Sequence, residues 1–264
     1  MPEQGAGFAS DPGSVRRVLG VGVNALEPGV AFERITTWAE DGAAARVAFM
    51  PVHSLVTAAR ERGFAQALSG FSLVLPDGQP VRWMLNLRHR AGLQERVYGP
   101  AMMWRLCGWA AERGLPVYLY GGREDVLPEL VGRLEEAFPG LEIAGAESPP
   151  FRELSDDEVA AARERINASG ARLVFLGLGC PKQELLADRL GDGVRGVQLC
   201  VGAAFDFHAG AVSMAPGWMQ ERGLEWLYRL LREPRRLWKR YLVTNTLFLA
   251  MAAGEMVKPR RGLA

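Results

Sequence analysis

Short apolar runs alternate with amphipathic stretches along most of this chain, and that alternation constrains its fold more than any other feature. RRVLGVGVN (16–24), ARVAFMPV (45–52), FSLVLPDG (71–78), PVYLYGG (116–122), LEIAGA (141–146), ARLVFLGLG (171–179) and GVQLCVGAAFDF (196–207) read as strands. Between them VAFERITTWAED, QPVRWMLNLRHR, AMMWRLCGWAAERG, EDVLPELVGRLEEAF, SDDEVAAARERINASG and PKQELLADRL carry helical spacing. Gly114 suits a helix C-cap, and the acidic SDDE suits a helix's first turn. Strands apolar on both faces and separated by helices imply a parallel sheet covered on both sides, an α/β fold. From residue 214 the texture changes to a Trp- and Arg-rich helical end. The expected organisation is a loose tail over 1–15, an α/β core over 16–213 and a helical appendage over 214–264.

Composition narrows the function. The formal net charge of the 264 residues is +1, so no protein-wide field draws in nucleic acid. Positive charge is local instead: RGLEWLYRLLREPRRLWKRY (222–241) holds seven Arg or Lys against two Glu. Cys107, Cys180 and Cys200 form no CxxC pair and read as reduced cytosolic cysteines. The N-terminal MPEQGAGFASDPGS has no apolar signal-peptide core, and YLVTNTLFLAMAAG (241–254) is too short and polar to span a bilayer. Three dispersed histidines, no Cys/His cluster and no DxD pair argue against a metal site. No GxGxxG turn with a distal acidic residue supports a dehydrogenase, and no nucleic-acid-binding signature accompanies the basic end.

Ligands of open parallel sheets bind at the carboxyl ends of the strands, so the residues just after each apolar run matter most. Asp77 follows a strand and precedes Gly78; it is placed either as a general base or as a turn or N-cap residue. Gly121 and Gly122 allow close approach of a phosphate, or make a tight turn. In GLGCPKQE, Gly179 clears space, while Lys182 and Gln183 offer donors at a helix start, where the alternative is a solvated helix end. Asp206, in VGAAFDFHAG, can accept hydrogen bonds from a base or sugar; His208 beside it reads as structural.

With these loops in hand, the chain resembles the WecG/TagA/CpsF family of bacterial glycosyltransferases. LVLPDGQPVRWM, QERVYGPAMM, VYLYGG, LGLGCPKQE, VGAAFDFHAG and GLEWLYRLLREPRRLWKRY match its blocks in order, from about residue 17 to residue 242. The resemblance implies a Rossmann-like core with a C-terminal helical appendage that meets the membrane. It also implies inverting, metal-independent transfer from a UDP-sugar to a polyprenyl-diphosphate-linked sugar, with no cofactor. By the same resemblance Asp77 falls on the general base, Arg96 on an arginine facing diphosphate, Gln183 on an active-site glutamine and Asp206 on a nucleotide contact. Phe49 and Pro51 stand where family members commonly carry a polar Thr-x-Asn pattern, a departure that bears on the donor. The basic end is read as a clamp for acceptor diphosphate at an anionic membrane surface, through Arg229, Arg232, Arg235, Arg236 and Arg240, with tryptophans at the lipid interface. The expected location is cytoplasmic, peripheral on the inner face of the cell membrane.

Overall fold

The computed structural model describes residues 14–257, with the side chains of Arg236 and Arg240 outside that description. A hairpin opens the chain, β1 (Val15–Val18) and β2 (Val21–Asn24), followed by α1 (Pro28–Asp41), β3 (Ala45–Met50), α2 (Val52–Arg60) and α3 (Arg62–Ser69). Next come β4 (Leu73–Pro76), α4 (Gln79–His89), α5 (Gly99–Arg113), β5 (Val117–Gly121), α6 (Leu127–Ala137) and β6 (Ile143–Glu147). The last strands alternate with α7 (Asp156–Ala168), as β7 (Leu173–Gly177), α8 (Lys182–Leu190), β8 (Val197–Cys200) and α9 (Ala204–His208). Three helices end the described chain: α10 (Gly217–Glu221), α11 (Glu225–Arg232) and α12 (Pro234–Val257).

Six strands form one parallel sheet in the order β4-β3-β8-β7-β5-β6. Its two faces bury separate clusters, because successive side chains of each strand point to opposite sides. Val174 and Leu176 join Leu55, Phe64 and Leu85 from α2, α3 and α4. Leu173 and Phe175 join Ile35, Leu106 and Leu130 from α1, α5 and α6. Each such fully buried side chain contributes about 1.5–3 kcal/mol, and neither face could be left open. The expected α/β sheet with helices on both sides is the observed one. Helix ends follow their caps: Gly114 closes α5 in the left-handed region, and Ser155 with Glu158 forms a reciprocal capping box at α7.

Two local expectations are corrected. RRVLGVGVN is not one strand; Leu19 and Gly20 both have positive φ (53° and 82°), a tight reversal that pairs Val15–Val18 antiparallel with Val21–Asn24. GVQLCVGAAFDF is a strand only to Cys200, after which Gly202 turns the chain (φ 55°) into α9. The basic stretch is divided between two helices, with Arg229 and Arg232 on α11 and Arg235, Arg236 and Arg240 on α12. The chain breaks at Glu233, and Pro234 begins α12.

Helix α12 lies back on the fold. Phe248 and Ala252 belong to the cluster built by α2 to α4, Leu237 is fully buried, and Glu255 Oε2 accepts the Leu19 N–H at 2.6 Å. Of the expected tail and appendage, residues 1–13 and 258–264 lie outside the described residues.

Candidate active site

All six strands run parallel, so the loops after β3, β4, β5, β7 and β8 meet at one rim. Asp77 is the first residue past β4. Its N–H donates to Met50 O at 3.3 Å, and Val97 N–H donates to Pro76 O at 2.9 Å, which draws the segment before α5 against the same strand end. Asp77 is not a helix cap: Gly78 holds that position at α4, without a side-chain cap. Its carboxyl instead faces the start of α5. A methyl placed on Gly99 would stand 3.4 Å from Oδ2 and 3.3 Å from the Phe49 ring. A side chain there would touch the carboxyl and press on the Phe49 ring.

Asp77 keeps some exposed surface, yet its Oδ1 is buried and without a hydrogen-bond partner. Burial pushes its carboxyl up to about 8, against the pull of Arg96, Arg229 and the Gly99 N–H, and Glu225 pushes the same way. Phe49 forms part of the apolar wall on this side, where polar groups were expected. A carboxylate with little solvation and one unoccupied oxygen is a competent proton acceptor near neutral pH.

Arg96 stands beside it in a fixed pose. Its Nη1 donates to Asp77 O at 3.4 Å, and its Nη2 donates to Gln220 Oε1 at 3.4 Å and to Glu225 Oε2 at 2.7 Å. The guanidinium lies 4.1 Å from the centre of the Tyr98 ring, and the Tyr98 hydroxyl donates to Glu225 Oε1 at 3.1 Å. Burial, then the charge of Glu225, holds the Tyr98 proton well above the usual phenol range. Arg229 also faces this pocket: its guanidinium sits 5.4 Å from the Phe207 ring, and its Nε is buried without a partner.

The other basic residues diverge. Arg232 is exposed, its guanidinium 5.4 Å from the centre of the Tyr228 ring, and Arg235 is exposed on α12. Arg236 and Arg240 belong to α12, but their side chains lie outside the described ones. The three described arginines, Arg229, Arg232 and Arg235, thus take different directions. Arg229 alone of those described turns to Asp77.

Around the rest of the rim, Gly121 approaches β7 so closely that a Cβ would lie 2.6 Å from a Gly177 backbone atom. Gly122 donates its N–H to Gly177 O at 3.0 Å, so that group already has its acceptor; what the pair offers is close approach. Lys182 is exposed at the start of α8, with Nζ 3.6 Å from the centre of the exposed Phe151 ring. Asp206 lies half-buried in the first turn of α9, near enough to Arg123 to influence it. Gln183 is buried and engaged on both ends of its amide. Gly179 N–H donates to Oε1 at 3.1 Å, and Nε2 donates to Cys200 O at 3.1 Å and Glu184 Oε1 at 2.9 Å. It ties the β7 and β8 loops together. His208 is structural: Nε2 lies 2.9 Å from Pro100 O and the ring stacks on Trp104.

Sequence reasoning missed Glu225, Gln220, Tyr98 and Glu184. Glu225 is visible in sequence only as one of two acids in a basic stretch. Glu184 is fully buried, with Oε2 unpartnered, and burial pushes its carboxyl up to about 7. Its folded value lies above that of a free Glu, about 4.3, so the folded state is penalised increasingly as pH rises from there to about 7. Glu184→Gln keeps an acceptor for Gln183 and removes the charge. Its expected gain at pH 8 is about 2 kcal/mol, or about 4–8 °C in Tm, shrinking to nothing near pH 4. Thermal denaturation at the two pH values checks this; a loss at pH 8 contradicts it.

Among the described residues no three His, Cys, Asp or Glu side chains converge as metal ligands. Residues 16–262 match the family described as "Glycosyl transferase WecG/TagA/CpsF family". The N-acetylglucosaminyldiphosphoundecaprenol N-acetyl-beta-D-mannosaminyltransferase of Bacillus subtilis (strain 168) is 32% identical over 186 residues, 70% of each chain. The enzyme of the same name from Bacillus spizizenii is 34% identical over 200 residues, 71% of this chain and 74% of its own.

Proposed function

Since the chain belongs to the WecG/TagA/CpsF family of glycosyl transferases, we propose that it moves an N-acetylhexosaminyl group from a UDP-sugar to a sugar on a polyprenyl diphosphate. The transfer inverts the anomeric centre and serves bacterial surface-polymer synthesis. N-acetylmannosamine is the first donor sugar to test and diphosphate-linked N-acetylglucosamine the first acceptor, since the relatives' names specify both. The observation that carries the reading is the Asp77 carboxyl, with a buried, unpartnered oxygen, beside Arg96 at the sheet's carboxyl rim.

In this reading Asp77 takes the proton of the acceptor hydroxyl as that oxygen bonds to the anomeric carbon. The bond from that carbon to the donor diphosphate breaks, and its electron pair leaves with UDP. A single displacement on an α-linked UDP-sugar gives a β product, the configuration in the relatives' names. Arg96 and Arg229 offset charge on the departing diphosphate, a term that grows as the bond breaks. Lys182 and Asp206 serve the nucleotide farther along the rim; Gly121 and Gly179 leave room for it, and Gln183 holds the loops in place.

An anionic membrane surface is the other partner. Among the described residues no helix is long and apolar enough to cross a membrane. The basic end and its exposed tryptophans suit a peripheral position on the inner face of the cell membrane. Incubating the protein with UDP-N-acetylmannosamine and a polyprenyl-diphosphate-linked N-acetylglucosamine tests the activity. Disaccharide and UDP are expected in equal amounts, with the rate unchanged by excess EDTA. No transfer from that donor or from UDP-N-acetylglucosamine sinks the reading. Transfer abolished by EDTA and restored by Mg²⁺ sinks its metal independence.

A further inference from the structure

Two carboxylates, Asp77 and Glu225, lie near one guanidinium, and their partners differ. Glu225 has both oxygens engaged, Oε2 with Arg96 at 2.7 Å and Oε1 with the Tyr98 hydroxyl at 3.1 Å. Asp77 receives nothing from the Arg96 side chain at its carboxyl; Arg96 bonds only its backbone oxygen. The Arg96–Glu225 pair is largely buried, its side chains 11% and 15% exposed. A buried ion pair is a poor source of stability, because desolvation consumes most of the attraction. This one has another consequence: a guanidinium held at 2.7 Å by Glu225, over the Tyr98 ring, is not free to turn onto Asp77.

We propose that Glu225 is a positioning residue for transfer, which holds Arg96 away from the Asp77 carboxyl and thereby keeps that carboxyl free to accept the acceptor's proton. The inference rests on the reading of Asp77 as the base. It links α11 to the chemistry, since Glu225 begins that helix and reaches residues 129 and 127 positions earlier in the chain. The charged and titratable groups facing Asp77 are Arg96, Arg229, Glu225 and Tyr98. Loss of the Glu225 charge frees Arg96 to pair with Asp77, and both changes favour the ionised, less basic carboxylate.

The test is the pH dependence of kcat and kcat/KM for the full chain and its Glu225→Gln and Tyr98→Phe variants. For Glu225→Gln we expect kcat to fall about 10²-fold, from a displaced guanidinium. The acidic limb is expected to move to lower pH by about one unit or more, as the base becomes more acidic. Tyr98→Phe keeps the ring under Arg96 and deletes only the hydroxyl that Glu225 receives, so a smaller shift in the same direction is expected. It also carries the test should Glu225→Gln not fold. Loss of activity with an unmoved acidic limb in the folded variants, or wild-type kinetics in both, overturns the proposal and leaves Glu225 as helix packing. Asp77→Asn assayed alongside separates the two readings. Full turnover there removes the base itself, whereas an inactive Asn variant beside unmoved Glu225→Gln and Tyr98→Phe profiles removes only the role of Glu225.

Discussion

Asp77→Asn is expected to lower kcat about 10²–10⁴-fold, the range associated with a lost general base, and to leave UDP affinity nearly intact. The asymmetry follows from position. The carboxyl faces Gly99 and the Phe49 side at the end of β4, with Arg96 bonded to the Asp77 main-chain oxygen, while Lys182 and Asp206 follow β7 and β8. Amide and carboxylate have the same shape, so the pocket persists and only proton affinity is lost. In the wild type, the base works when ionised, so activity is expected to rise with pH through about 8. The Asn variant has no such limb in whatever activity it retains. Unfolding is no rival explanation. A carboxyl raised above its unfolded value destabilises the fold increasingly between about pH 4 and 8, so the neutral amide should hold or raise Tm at pH 8. Wild-type turnover by the Asn variant on a lipid-linked acceptor rules the role out.

What the sequence disclosed, and what it hid, follows the range of the interactions involved. The sheet strands other than β6 are legible because burial on both faces demands continuous apolar runs, and LVLP, VYLYG and LVFLG meet that demand without help from neighbours, whereas the edge strand IAGAE is only partly buried. Asp77 was legible as a rim residue because parallel topology fixes which strand ends hold the site. The hairpin was missed because its reversal rests on Leu19 at φ 53°, a conformation bulky side chains seldom adopt. The short helix carrying Asp206 reads as strand in the sequence because AFDF is as apolar as the run before it, and only Gly202 marks the turn. Glu225 was invisible for a different reason. Its meaning lies in Arg96 and Tyr98, and no local pattern predicts a contact across 129 residues. Phe49 was noticed as a departure, but its effect beside Asp77 depends on Gly99, which arrives from another element.

Substituting Trp238, Leu242 and Leu249 together by Ser is expected to weaken binding to anionic vesicles about 10²-fold and to cut transfer to bilayer-embedded acceptor correspondingly. Helix α12 has two apolar sides. One carries Leu237, Phe248 and Ala252 into the fold; the other presents Trp238, Leu242, Leu249 and Val257 to solvent, 48%, 62%, 67% and 85% exposed. Residues 238, 242, 249 and 256–257 recur at helical spacing, so they form one stripe along the helix. An exposed apolar stripe of this length is unusual on a free surface and suits the boundary of a bilayer. Arg232, Arg235 and Lys239 are exposed where the stripe begins, and each contributes about 1 kcal/mol near anionic lipid. Partial burial of three large side chains at about 1 kcal/mol each gives the expected factor. Point substitutions are the proper probe, because removing α12 would also strip Phe248 and Ala252 from the core. Transfer to a water-soluble, short-chain diphosphate acceptor should remain at the wild-type rate, since the stripe faces away from the buried side of the helix. Added salt should weaken the vesicle binding that remains in the triple variant, as the basic contribution is screened over about 8–10 Å. Unchanged vesicle binding in the triple variant would show that lipid does not cover this face.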